Sequence, residues 1–180
     1  MRSFKHLMNV HQVLDYRAYA TSAMREASNS PFIISEIKGY ADIDLEIIGG
    51  EQEADTISFE DLPDFMPHID GAVFIDVGGG STELTYIKNA KKADAISLKI
   101  GTVRLLHDAV DSSLWEQMKE WFHKHNLLDS GTPILGTGGN INKILKVLRK
   151  QQNDYFINTE DLAAFKAELD AVDYDERITR

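Results

Sequence analysis

No cysteine occurs anywhere in the 180 residues. Disulfides, thiolate nucleophiles and cysteine metal sites are therefore excluded, and a nucleophile in any chemistry here is water or an oxygen side chain. No stretch approaches the roughly 18 apolar residues that a membrane span needs, and Met1-Arg2-Ser3-Phe4-Lys5-His6 has no secretory apolar core, so the expectation is a cytoplasmic protein without a membrane partner. Internal repeats and low-complexity tracts are also lacking. The formal net charge is −10, which argues against binding duplex nucleic acid, a role that leans on neutralising phosphates with Lys and Arg. Lys and Arg are missing altogether between Gly39 and Ile87, where twelve Asp or Glu stand. Many of these acids suit a solvated face.

What is present is the composition of a globular protein, 43% hydrophobic and 27% charged, long enough for one domain or two small lobes with a real core. Within the acidic region lies Val73-Phe74-Ile75-Asp76-Val77-Gly78-Gly79-Gly80-Ser81-Thr82-Glu83-Leu84-Thr85-Tyr86. Its pattern predicts strand, tight turn, strand, with Leu84 and Tyr86 on one face. Three glycines carry no Cβ atoms to hold a ligand away, so the amides from Gly78 to Ser81 can converge on an anion, with hydroxyls from Ser81 and Thr82 beside them. Asp76 and Glu83 flank the turn and suit a hydrated Mg²⁺, which takes one or two carboxylates beside phosphate oxygens. A phosphate entering so acidic a region also calls for an intervening cation. Two familiar glycine loops do not fit: a dinucleotide loop wants glycine at position 83 and a following helix, and a P-loop wants a lysine that is absent.

Around this hairpin the periodicity predicts an amphipathic helix over 4–16, a short strand at 17–20, a helix from Thr21 or Ser22 to Glu26, a helix over 32–38 and a strand over 42–48. Prolines 63 and 67, a glycine and several acids mark 64–71 as a lobe boundary. After the hairpin, 89–93 turns the chain, 95–100 forms a third strand, 102–110 a short helix, and 114–128 a helix with Trp115, Met118, Phe122 and Trp121 toward its apolar stripe. A strand at 133–135, a glycine turn at 136–140 and helices over 141–151 and 162–169 follow. The six histidines are read as ordinary surface or half-buried residues. His123 and His125, two apart, face differently and make a poor metal pair.

The hairpin resembles the second phosphate loop of the exopolyphosphatase and guanosine pentaphosphate phosphohydrolase (Ppx/GppA) family, of the actin, sugar kinase and heat-shock ATPase superfamily. Three further segments match it in order: Ala20-Thr21-Ser22-Ala23-Met24-Arg25-Glu26-Ala27-Ser28-Asn29, Ile47-Ile48-Gly49-Gly50-Glu51-Gln52-Glu53-Ala54, and Leu135-Gly136-Thr137-Gly138-Gly139-Asn140-Ile141.

The resemblance implies an α/β fold with a mixed sheet flanked by helices. Residues 71–180 would form a ribonuclease-H-like (actin-like ATPase) lobe, and 1–70 the end of a preceding lobe. It also implies phosphoanhydride hydrolysis with Mg²⁺, on polyphosphate or guanosine pentaphosphate, with a homodimer as a candidate assembly. Glu53 matches the general base; taken alone it is an acid in a helix's first turn, favoured by the dipole. The family pattern has Arg where Asp55 stands. Arg25 is implied in phosphate contact, the alternative being an ion pair with Glu26 or another acid. Gly138 and Gly139 resemble the far wall of the cleft and are implied as phosphate-binding, and Lys143, Lys146, Arg149 and Lys150 offer either a guide for long polyphosphate or a solvated basic face.

The family's first loop, of the type Asp-x-Gly-Ser-Asn-Ser, has no counterpart before Ala20. The expectation is therefore a partial catalytic core with little turnover on its own, against a non-catalytic phosphate-binding or regulatory fragment. Kinase chemistry is disfavoured because the block around Glu53 matches enzymes that use water as acceptor.

Overall fold

The computed structural model describes residues 1–56, 71–89, 91–128, 131–149, 155–173 and 176–177. The chain divides into two compact units, Met1–Gly136 and Thr137–Arg180. The lobe boundary expected at 64–71 falls, except for Gly71, outside the described residues.

The first unit begins with α1 (Arg2–Val10), which ends earlier than its apolar spacing suggests. Gln12 takes a left-handed φ of 53° and turns the chain, leaving Leu14 bare to solvent. Strand β1 (Ala18–Ala20), helices α2 (Ser22–Glu26) and α3 (Ser30–Ala41), and strand β2 (Leu45–Ile47) form a βαβ unit. Its two strands are parallel, with Ala18 opposite Leu45 and Ala20 opposite Ile47. Pro31 opens α3, where its missing N–H costs nothing. Asp42 closes that helix in the left-handed conformation, φ 49°, with Lys38 bonded to its carboxylate at 3.0 Å. That cap is why the strand expected from residue 42 starts only at Leu45. Ile37, Ala41 and Ile43 are buried here, with Met8, Ile33 and Leu45 packed around them.

Helix α4 (Gly50–Asp55) follows β2. Strands β3 (Gly71–Val77), β4 (Thr82–Lys88) and β5 (Lys91–Leu98) make an antiparallel meander, and β6 (Ile134–Thr137) lies beside β3, giving the order β5-β4-β3-β6. The chain therefore joins parallel and antiparallel strands flanked by helices, the mixed α/β architecture expected. The turn predicted over 89–93 is tighter than its composition suggests. Asn89 takes φ 53°, and a register shift at Tyr86/Ile87 absorbs the extra residue, so Lys91 and Lys92 already belong to β5.

Alternation sends Val73, Leu84 and Leu98 to one face of the meander, where they are buried with Ile100, Trp121 and Leu127. Leu84 and Tyr86 share that face as predicted. The cover is α6 (Ser113–Lys124), which follows the short helix α5 (Thr102–Leu106). α5 stops four residues before its expected end because Asp108 turns left-handed at φ 50°. In α6 the inward stripe is Leu114, Met118, Trp121 and Phe122. Trp121 is 5% exposed, whereas Trp115, placed by sequence in the stripe, is 41% exposed. Spacings of 4, 3 and 1 from Leu114 put Trp121 on the buried face and rotate Trp115 off it. His125 stacks near Trp121 and Tyr86 and contacts Asp94 at 2.6 Å, a half-buried structural role. Asp94 is held down to a pKa of about 2, chiefly by Lys124.

The second unit contains α7 (Gly139–Leu148) and α8 (Thr159–Asp170). Ile144, Val147, Phe165 and Leu169 line a groove of about 390 Å³ with Lys143 and Glu168. Among the described residues no helix is long and apolar enough to cross a membrane.

Candidate active site

Strands β1 and β2 are parallel, so the helices that follow them, α2 and α4, both start at the same carboxyl edge, where α/β proteins bind ligands. The meander turns its own edge toward them: the end of β3, the start of β4 and the end of β5 lie together. Between these elements is a cleft of about 460 Å³ whose lining includes Glu53, Asp76, Gly78 to Ser81, Glu83 and Arg104.

The acids are placed by strand register. Asp76 pairs with Glu83 across β3–β4, and Glu83 with Ser97 across β4–β5, so all three project from one face. Glu83 is 3% exposed and accepts a hydrogen bond from Ser97 Oγ at 2.9 Å. Helix α4 comes close to this row because its first residue has no side chain. A Cβ on Gly50 would lie 2.2 Å from Ser97 Oγ and 3.6 Å from Glu83 Oε1. One turn further on, Glu53 is thereby brought to the other acids.

Burial raises the Glu53 pKa, and the neighbouring Glu83 and Asp76 carboxylates push it the same way against Arg25. Burial also raises Asp76. Glu53 Oε2 is buried with no hydrogen-bond partner. Arg25 Nη1, 3.6 Å away, is an ion-pair neighbour outside hydrogen-bonding distance. A buried carboxylate oxygen left without a donor is costly, and such costs concentrate where a group has work to do.

The turn is fastened from behind. The carbonyls of Gly78 and Gly79 accept the N–H groups of Thr102 and Val103 at 3.0 and 2.9 Å, and the Gly80 carbonyl accepts Arg104 Nε at 2.6 Å. Gly78 N–H closes the turn on Ser81 O at 2.9 Å. The N–H groups of Gly79, Gly80 and Ser81 donate to no acceptor among the described residues. With the carbonyls held by α5, these three amides are the donors left for an anion.

The structure thus brings Glu53, Asp76, Glu83 and the Gly78–Ser81 turn into one cleft. It uses other expected groups differently. Thr82 Oγ1 donates to Ile100 O at 2.6 Å, which pins β4 to the chain after β5 instead of facing a ligand. Arg25 does not line the cleft; its Nη1 donates to the Ile48 carbonyl beside Glu53. Gly138, at φ 103°, and Gly139 begin α7 in the second unit, where Lys143, Lys146 and Arg149 also lie. Lys150 falls outside the described residues. Sequence reasoning missed Arg104, and His107 was read only as an ordinary histidine although it too lines the cleft. The available signal was positional: a strand, a glycine and a helix start put residue 104 on the same sheet edge as the hairpin turn.

The fold and the cleft define an α/β protein in which a glycine hairpin with free amides faces three carboxylates. The chain belongs to the Ppx/GppA phosphatase family, whose sequence model matches residues 1–178. It is 32% identical over 92 residues to "Exopolyphosphatase 1" of Mycobacterium leprae, covering 51% of this chain and 27% of that protein. It is 31% identical over 90 residues to "Guanosine-5'-triphosphate,3'-diphosphate pyrophosphatase" of Photobacterium profundum, covering 50% of this chain and 18% of that protein. Among solved structures, an exopolyphosphatase from Cytophaga hutchinsonii superposes with a TM-score of 0.73 at 22% identity, covering 98% of this chain and 63% of that one, which establishes the fold. The chain thus matches only part of each relative's length.

Proposed function

We propose that this chain carries part of the catalytic core of a Mg²⁺-dependent phosphoanhydride hydrolase that releases phosphate from polyphosphate or guanosine pentaphosphate. The observation that carries the reading is Glu53: a buried carboxylate oxygen without a hydrogen-bond partner, its pKa raised, set beside Asp76 and Glu83 at a turn with three free amides. The names of its relatives supply the two substrates.

In this reading the Gly79, Gly80 and Ser81 amides, with the Ser81 hydroxyl, bind and orient the terminal phosphoryl group. Glu53 takes a proton from the attacking water, whose oxygen bonds to the terminal phosphorus as the P–O–P bridge breaks; the bridging oxygen departs on the shortened phosphate chain or nucleotide, and the terminal phosphoryl group with the water oxygen is released as orthophosphate. A raised pKa suits that task, since a stronger base accepts the proton more readily.

Asp76 and Glu83 fit a hydrated Mg²⁺. They project from paired positions on one face, and a hydrated Mg²⁺ takes only one or two carboxylates beside water and phosphate oxygens. The ion, when bound, neutralises phosphate charge inside an acidic cleft. The test is calorimetry with Mg²⁺ and pyrophosphate. Coupled binding that Asp76→Asn weakens is expected, and equal binding by that variant would remove the assignment.

A further inference from the structure

The charge of the cleft poses a problem that the hairpin alone does not answer. Glu26, Glu53, Asp76 and Glu83 all line it, and among the described lining residues Arg104 is the single Lys or Arg. Arg25, the residue expected to meet phosphate, is committed to the Ile48 carbonyl and to Glu53. Among the described residues that line it, a polyanion meets Arg104 as the one Lys or Arg side chain.

Arg104 is held for that use. Its Nε donates to the Gly80 carbonyl at 2.6 Å, which fixes the guanidinium against the hairpin turn. Its Nη2 donates to Glu26 Oε2, and its Nη1 donates to no acceptor among the described residues. Glu26 has a second partner: Lys99 Nζ stands 3.1 Å from the other oxygen, Oε1. If Arg104 leaves it, the carboxylate is still paired. The side chains of Glu26 and Lys99 are 39% and 70% exposed, so their pairing costs little to rearrange, whereas Arg104 is 21% exposed and tethered.

We propose that Arg104 is the cationic substrate-binding residue of the cleft, keeping Nε on Gly80 and transferring its terminal nitrogens from Glu26 to phosphate oxygens while Lys99 retains Glu26. The ligand class is a chain phosphate or nucleotide polyphosphate, whose oxygens match the planar fork of an arginine. Glu26 is then a gate, competing with substrate for the same nitrogens. The proposal rests on the cleft being a phosphate site.

The test is calorimetry of tripolyphosphate with Mg²⁺ on the 180-residue chain, in a double-mutant cycle. Arg104→Met is expected to weaken binding about tenfold, the lower end for a hydrogen bond to a charged group. Glu26→Gln is expected to strengthen it a few-fold, because the competing carboxylate is gone. In the Arg104→Met background the Glu26→Gln gain is expected to disappear. A merely structural latch predicts that both single changes weaken binding, and a simple field effect predicts an equal Glu26→Gln gain in both backgrounds; either result overturns the proposal.

Should Arg104→Met lose its fold by circular dichroism, Arg104→Lys replaces it in the cycle. That variant keeps the charge but cannot hold Gly80 and phosphate together, so intermediate weakening is expected and unchanged binding refutes. Binding that Asp76→Asn impairs but Arg104→Met leaves alone sinks this inference and spares the phosphate reading. A wild-type chain that binds no tripolyphosphate sinks both.

Discussion

Gly101→Ala isolates how closely the anion turn depends on what stands behind it. Gly101 has φ −148° and ψ 161°, extended backbone open to any residue, so alanine brings no dihedral strain. Its Cβ, however, would lie 2.3 Å from the Gly79 carbonyl oxygen, 2.5 Å from the Gly79 carbonyl carbon and 2.6 Å from that of Gly80. Carbon contacts settle at about 3.5–4.0 Å, so the turn and α5 must separate by about 1 Å. The atoms in the way are backbone, and no side-chain rotation relieves them. The Thr102 and Val103 bonds to the Gly78 and Gly79 carbonyls are those that lengthen.

Overpacking of this kind costs about 1–3 kcal/mol, and each kcal/mol lowers Tm by about 2–4 °C in a chain of this size. Loss of one well-aimed amide to a charged oxygen reduces affinity by about tenfold or more. The assay is a thermal melt together with calorimetry of Mg²⁺ and pyrophosphate, with Gly39→Ala as control. Gly39 lies in α3 with nothing within 4 Å of its would-be Cβ. Alanine there should stabilise by about 0.5–1 kcal/mol and leave binding unchanged. Wild-type affinity in Gly101→Ala would refute the claim that the carbonyl-side fastening aims the amides.

In a chain extended at its N-terminus toward the length of its relatives, Glu53→Gln should keep substrate binding and lower phosphate release by about 10²–10⁴-fold, the worth of a positioned base; release at the wild-type rate would exclude Glu53 from that role. The same substitution should change stability in a pH-dependent way. The folded chain holds the Glu53 proton to a higher pH than the unfolded chain does, so wild-type stability falls as pH rises from the ordinary glutamate value of 4.5 through the raised folded value. Without added Mg²⁺, the Tm advantage of Glu53→Gln should therefore grow over that window and level off above it; an advantage largest in acid would contradict the burial and repulsion assigned to Glu53.

The parts of the site legible in the sequence are those that local geometry fixes. A tight hairpin sets its own register, so Asp76 and Glu83 had to pair and Leu84 had to face the core with Tyr86. Glu53 was different: its helix and its acid were readable, but its approach to Glu83 depends on Gly50 meeting Ser97, a contact between segments 47 residues apart by their numbering. It was reached through resemblance. Long side chains were least legible, because an arginine with several rotatable bonds chooses among acceptors that only the folded chain assembles. Arg25 went to the Ile48 carbonyl and Arg104 to the cleft. Trp121 was placed on the apolar stripe with Met118 and Phe122, where it lies, whereas Trp115 was placed there wrongly, because a helical stripe rotates by 100° for each residue.

Arg104 makes two contacts with very different histories. Its bond to Gly80 closes 24 residues of contiguous meander, whereas its bond to Glu26 closes 78 and joins the βαβ unit to that meander. Loop entropy grows with the logarithm of length, so the second closure costs about 1 kcal/mol more than the first, and topology favours the local contact early in folding. The turn can thus acquire its aimed amides while α2 and α4 are still unplaced. On the proposed reading of the cleft, the phosphate-binding turn forms before Glu53 is brought to it.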